Sequence, residues 1–352
     1  MKVLYFTKYI RKGASSRMRS YQFHPFLMER GIEIDNSPLF NEQYLEELYG
    51  KKGTSKANVF KCYLNRFFTL FTVFKYDKIV IEKELFPYLP AALEWLLAVL
   101  NIKYIVDYDD AIFHNYDLSS SKFIKLFLSN KIDRVMKCAS LVVAGNNYLA
   151  ERATKAGAKK IIVIPTVIDS NRYLQKTYSD NGQLTVGWIG TETTFKKHFM
   201  MLEESVKRLT KTHPNLYFHI VGVTNNKMFN KQVRFIPWSE ATEIEEILKF
   251  DVGIMPLLDS PWEKGKCAYK LIQYMACGIP GIASNVGANK EVVDNKNGFL
   301  VDTADDFERM IDALVVDKAK LISKSQAALN TVLERFTLEK QQIVWLKILK
   351  DL

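Results

Sequence analysis

The stretch KGKCAYKLIQYMACGIPGIAS, Lys264–Ser284, decides how the chain is read. Its middle, CAYKLIQYMACG, has the spacing of a helix, with Ala268, Leu271, Ile272, Met275 and Ala276 on one side. Gly278 and Pro280 end that helix. PGIAS then reads as a short, buried strand. A helix that passes through a tight turn into a strand is half of a βαβ unit, and such units build parallel sheets. At about 100° per residue, Lys266, Lys270 and Gln273 fall within about 60° of each other, opposite the apolar side. Unpaired buried lysines are costly. The two ammonium groups therefore face either water or an anion. With the loop SPWEKGKC running into the helix, its amides and Lys266 and Lys270 form a compact positive site suited to a diphosphate.

Working outward, strand-like and helical runs alternate throughout. KVLYF, KIVIEK, YIVDY, SLVVAG and KIIVIP are short, β-branched and bounded by polar or turn residues. Amphipathic stretches such as SYQFHPFLMERG and LPAALEWLLAVL lie between them. The pattern restarts with LTVGWIG, LYFHIVG, VRFIPW, DVGIMPL and PGIAS. Between the two series, Pro165–Gln183 is polar, turn-rich and reads as a linker. The expectation is α/β, with two Rossmann-like, doubly wound domains facing a cleft. TLEKQQIVWLKILKDL at the end is one more amphipathic helix.

Composition narrows the classes. The 352 residues suit two domains, and 48% hydrophobic with 25% charged is ordinary for a globular protein. The longest apolar run, Leu89–Leu100, is too short to span a bilayer and contains Glu94. Four cysteines lack zinc-ligand spacing, and no export signal is evident, so a cytoplasmic location with reduced thiols is expected. Net charge is +10. Residues 1–170 hold 25 Lys/Arg against 17 Asp/Glu, hence +8 there and +2 in the remainder. A basic first half suits anionic lipid or a polyanionic substrate, or simply solubility. Positive charge interleaved with acids, without an RNP or zinc pattern, argues against nucleic acid.

Open α/β sheets bind ligands at the carboxyl ends of their strands. In VGWIGTETTFKKH, Gly187 and Gly190 allow a tight turn, and Lys196 and Lys197 follow on the next helix. Trp238, after VRFIP, either stacks on a base or belongs to the core. In YIVDYDDAIF, Asp107, Asp109 and Asp110 sit at or just past a strand end. They suit substrate hydroxyls, acid–base work, a divalent ion through D-x-D, or turn capping. In RKGASSRMRS, Gly13, Ser15, Ser16, Arg17 and Arg19 suit a phosphate or a sugar, or form an exposed basic turn. The five histidines have no Ser/Asp or metal spacing, and only His114 lies near the aspartates.

Together these residues resemble the retaining glycosyltransferases of the GT-B fold, family 4. MACGIPGIASNVGANKEVVDNKNGFLV carries most of the likeness, with AGNNYLAERA, IPTVIDSNRY and VGWIG as weaker landmarks. YIVDYDDAIF and WEKGKCAYKLIQYMACG resemble a branch found among bacterial surface-polysaccharide transferases. The resemblance implies an acceptor domain over 1–168 with the C-terminal helix 337–352 crossing back to it, and a nucleotide-sugar donor domain over 169–336. It implies a base near Trp238 and a diphosphate near Gly190, Thr191 and the amides of Cys267, Ala268 and Tyr269. Gln273 would reach a ribose hydroxyl. The family's other carboxylate position falls on Gly265, and its arginine on Thr191, leaving Lys266, Lys270 and Lys196 or Lys197 as replacement charges.

The implied reaction moves a sugar from a nucleoside diphosphate to a hydroxyl of a glycan or lipid-linked acceptor in surface-polysaccharide synthesis. No cofactor and no metal are expected. An epimerase of the same fold, or a binding protein that has lost catalysis, are the alternatives. Cys62–Lys78, with Phe67, Phe68, Phe71 and Phe74, suits either a membrane surface at the inner face or the core.

Overall fold

The computed structural model describes residues 1–50, 53–179, 182–224 and 228–352. It divides into two compact units. The first comprises Met1–Thr166, Gly265–Cys267 and Leu338–Leu352. The second comprises Val167–Lys264 and Ala268–Thr337.

The first unit holds a six-stranded sheet of β1 (Lys2–Phe6), β2 (Glu33–Asn36), β3 (Lys78–Glu82), β4 (Tyr104–Tyr108), β5 (Leu141–Ala144) and β6 (Ile161–Val163). The order is β2-β1-β3-β4-β5-β6, every pair parallel. Its central strands are buried on both faces, which is why they read as unbroken apolar runs. The C-terminal helix Leu338–Asp351 packs here, with Trp345 against Phe23 at 6.0 Å between ring centres.

The second unit repeats the plan with β7 (Leu184–Ile189), β8 (Leu216–Val221), β9 (Val233–Ile236), β10 (Val252–Met255), β11 (Gly281–Ser284) and β12 (Gly298–Val301). Its order, β12-β11-β10-β7-β8-β9, puts the reversal of direction between β7 and β10. In the first sheet the reversal lies between β1 and β3.

The helix Tyr269–Ala276 lies close on the second sheet. A Cβ on Gly253 of β10 would collide with the Tyr274 ring, and one on Gly281 of β11 would meet Leu271 at 2.6 Å. Tyr274 in return accepts a hydrogen bond from the Ile189 amide at 3.1 Å. Small residues in the strands thus let the helix approach and hold the end of β7.

Three expectations change. Strands β2 and β12, both at sheet edges, were not expected; EIDN is polar, and GFLV follows the turn-rich DNKN. The stretch read as a linker is not loose. Val167 and Ile168 are buried, Tyr178 donates to the Asp251 carbonyl at 3.0 Å, and Lys176 pairs with Asp251 at 3.4 Å, all within the second unit. Asp180 and Asn181 of that stretch lie outside the described residues. Finally, the helix starts at Tyr269, not Cys267. Ala268 before it is left-handed, with φ +51°. Lys266 is therefore outside the helix, and no helical face joins it to Lys270. Beyond Lys270 the helix is buried all round, Gln273 included.

Candidate active site

In the first unit the ends of β1, β3 and β4 converge on a network of buried charge. Lys83 follows β3, is 4% exposed, and has φ +68°. Its ammonium group meets Asp109 at 2.8 Å and Asp110 at 3.4 Å. A non-glycine residue in the left-handed region is strained by about 1–2 kcal/mol. Here that conformation accompanies the aim of the ammonium group at both carboxylates. Ser15 donates to Asp109 at 2.7 Å and lies 3.1 Å from Glu82. Ser16 donates to Glu82 at 2.6 Å, and the Lys8 amide does so at 3.0 Å. Gly13 permits the turn, since a Cβ there would strike Tyr9. Arg17 is partly buried on the helix Ala14–Arg19. Arg19, buried on that helix, chelates Asp107 through Nε at 2.9 Å and Nη2 at 2.5 Å, and donates to the Ile164 carbonyl at 2.9 Å.

The charge states follow from these contacts. Burial works against ionised Asp109, but Lys83, Arg19 and Ser15 outweigh it and hold the group down to about 2. Burial also opposes charged Lys83, and Asp109 and Asp110 raise it well above an ordinary lysine all the same. Asp110 is pushed up, first by burial and also by Asp109, although Lys83 and Lys266 act the other way. It is the more exposed of the two aspartates, its side chain 32% accessible. One aspartate is thus a locked anion, while the other holds its proton more readily and reaches solvent.

These contacts revise the reading of RKGASSRMRS. Both hydroxyls are bound to carboxylates, so an incoming phosphate would face Glu82 and Asp109. A sugar hydroxyl fits that setting better. The D-x-D aspartates are engaged by Arg19 and Lys83. Among the described residues, no group of three or more His, Cys, Asp or Glu is arranged to hold a metal ion. Glu82 and Lys83 were not singled out from sequence, and Arg19, expected at a phosphate or sugar, is instead bound to Asp107. The signal available was KIVIEKE, an apolar strand ending in alternating charge.

Gly265, Lys266 and Cys267 group with this unit. The Cys267 thiol donates to the Asp109 carbonyl at 3.1 Å, and burial pushes it up to about 12, so it stays protonated. Asn146 donates to the Lys266 carbonyl at 3.0 Å. A Cβ at Gly265 would collide with Ala111. A glutamate therefore has no room at this position.

The second unit presents a different surface at the ends of β7, β8 and β9. Gly222 has φ +92°, and a Cβ there would strike the Gly190 carbonyl and lie 3.5 Å from the Trp238 Cβ. Only glycine suits both the conformation and the space. Trp238 is 43% exposed, and its indole N–H donates to Glu243 at 2.9 Å. Thr191 caps the helix Glu192–His198, exchanging hydrogen bonds with Thr194. Lys270 reaches the same end of β7: its ammonium group lies 4.5 Å from the Trp188 ring centre, and Trp188 also lies against Gly190. Lys196 is exposed. Lys197 pairs at 2.5 Å with Glu263, which is fully buried and also accepts from Ser260. Burial opposes ionised Glu263, but Lys197 and Ser260 keep it below the usual carboxylate range. Gln273 donates to the Tyr173 hydroxyl at 3.3 Å. Glu263 and Gly222 were also missed from sequence. A buried carboxylate two residues before Gly265 has no periodic signal.

Residues 183–317 match the family model described as "Glycosyl transferases group 1". Solved structures share the fold across nearly the whole chain. Sucrose-phosphate synthase from Thermosynechococcus elongatus is 13% identical, with a TM-score of 0.73, over 99% of this chain and 98% of that one. A glycosyltransferase from Rickettsia africae is 16% identical, with a TM-score of 0.71, over 99% and 98%. HepE from Anabaena, in complex with UDP, is 16% identical, with a TM-score of 0.66, over 100% of both chains. Other HepE structures hold UDP with glucose, and UDP-glucose. No curated protein matches by sequence. The architecture is the two-domain α/β fold of GT-B glycosyltransferases. The family match over residues 183–317 supports a glycosyltransferase with this fold.

Proposed function

We propose that the protein moves a sugar, with retention at the anomeric carbon, from a nucleoside diphosphate to a hydroxyl of a glycan or lipid-linked acceptor. One observation carries this reading. At the ends of β7 and β8, Gly190 and Gly222 pack closely on each other, with Trp238 beside Gly222 and the Lys270 ammonium group over Trp188 beside Gly190. A base can stack on the half-exposed indole, and a diphosphate can lie along the glycines beside Lys270. UDP in HepE makes uridine the first base to test.

Bond breaking would leave a sugar with oxocarbenium character and a diphosphate gaining negative charge. Lys270 meets that charge without reorganising, because Trp188 already positions it. Lys196, exposed in the same unit, is the further positive charge available to the donor. Gly265 cannot supply a carboxylate to the donor sugar. Asp109 and Asp110 orient hydroxyls in the first unit, the ionised Asp109 as acceptor and the more exposed Asp110 nearest solvent. The reading includes no metal and no cofactor. It places the enzyme in the cytoplasm, in surface-polysaccharide synthesis, and a lipid-linked acceptor would bring it to the inner membrane face.

Thermal unfolding with UDP-, GDP- and TDP-sugars tests the donor site, because a ligand raises the transition according to its affinity. One nucleotide sugar is expected to stabilise the protein, and Lys270→Ala to remove most of that shift. No response to any of them, or a shift unchanged in Lys270→Ala, would overturn the site. Incubating donor alone distinguishes transfer from epimerisation, which needs no acceptor.

A further inference from the structure

The helix Lys56–Leu70 turns its apolar side the wrong way for a water-soluble protein. Its buried residues are Asn58, Cys62 and Arg66, one stripe at i, i+4 and i+8. Arg66 is held there by the carbonyls of Thr7 at 2.6 Å and Ser37 at 2.7 Å. Facing outward are Phe60 and Phe68, and just beyond the helix Phe71 and Phe74, each 64–69% exposed. Surface helices ordinarily show the reverse arrangement.

A second helix of the same unit, Lys122–Leu128, behaves alike. Phe123, Leu126 and Phe127 are 64–75% exposed, and only Leu128 of the helix is buried. The two regions are linked through neighbouring residues. An apolar groove of about 730 Å³ lies between the first helix and Phe86, Leu89 and Leu93. Tyr88, in that connection, meets Tyr116 edge-on at 5.6 Å. Tyr116 belongs to the short helix His114–Asp117, which packs on Lys122–Leu128.

Charge selects the partner. Residues 53–76 contain no Asp or Glu, and Lys56, Lys61 and Lys75 are exposed. Residues 118–132 likewise contain no acid, and Lys122 and Lys125 are exposed beside the phenylalanines. A second copy of the chain laid on this face would bring lysine against lysine. An anionic bilayer offers both an apolar interior for the rings and phosphates for the ammonium groups. No helix of the described residues is long and apolar enough to cross a membrane.

We propose that the exposed phenylalanines and lysines of 56–75 and 122–127 seat the first unit on the surface of an anionic lipid bilayer. The proposal does not depend on sugar transfer, and its test needs neither donor nor acceptor. Full-length protein is floated with vesicles of phosphatidylcholine and phosphatidylglycerol in equal parts, and with phosphatidylcholine alone. Binding is expected to the anionic vesicles, at least about tenfold weaker to neutral ones, and falling with added salt. Phe71→Asp with Phe123→Asp should weaken it by about tenfold or more, since two rings leave the lipid. Val316→Asp, at an exposed apolar position in the second unit, should bind as the parent does. The thermal unfolding transition and far-UV circular dichroism should match the parent in all variants, which shows that they fold. No flotation, equal binding to neutral vesicles, or binding that survives the double substitution would overturn the proposal. So would concentration-dependent dimerisation abolished by the same two changes, because a second copy would then be what covers this face.

Discussion

The two units place comparable sheets under different kinds of site. In the first, the strand ends are closed with charge: Lys83, Asp109 and Asp110, with Glu82 and the two serines, bind one another within the fold. In the second, glycines let the strand ends pack closely, and the cation present is held over an indole. A prearranged ion network has its hydrogen-bonding capacity largely committed, so it can position neutral hydroxyls. At the second edge Gly190 and Gly222 pack closely, and the nearby Lys270 is the charge that the proposed anionic donor would meet. The difference teaches that a repeated topology does not dictate repeated chemistry; the residues just after the strands do.

The largest effect is expected from breaking the network. Lys83→Met leaves the buried Asp109 without its ammonium partner, and should lower unfolding free energy by about 3–5 kcal/mol in denaturant titrations. A loss under about 1 kcal/mol would show that the carboxylates do not rely on Lys83.

Acidification should have the next largest effect, and its sign follows from Asp109. The folded group sits at about 2, below the unfolded value near 3.9, so its stabilisation is present above about pH 4 and is lost as pH falls toward 2. Asp110, raised by burial and by Asp109, works the other way at higher pH. The parent should therefore lose on the order of 2 kcal/mol more over that interval than Asp109→Asn. Parallel pH profiles would contradict the locked anion.

The smallest effect on stability belongs to the second unit. Trp238→Ala removes a half-exposed ring, and unfolding free energy should move by less than about 1 kcal/mol. Donor affinity should still fall about tenfold, as expected for a lost stacking contact. If stability falls sharply and affinity does not, Trp238 is a structural residue and the contrast between the units weakens.

Much of the fold could be read directly because both sheets are parallel and covered, and their inner strands are continuous apolar runs. Strand β2 escaped because EIDN is polar and half-exposed, and β12 because it follows the turn-rich DNKN. Of the candidate site, Asp109, Asp110, Ser15, Ser16, Gly190 and Trp238 were placed near strand ends by position alone. Lys83 and Glu263 were not, since a charged residue near a strand or loop reads as solvated until its neighbours are known.

Local pattern determined the alternation of strand and helix and the restart that makes two domains. These depend on periodicity and turn chemistry, which act over a few residues. Tertiary structure alone decided which charges meet. Ala268 in a left-handed conformation ended the supposed stripe from Lys266 to Lys270, and Lys83 found carboxylates 26 and 27 positions away. Ionic contacts of that kind depend on burial and on distances across the fold, and neither is contained in spacing along the chain.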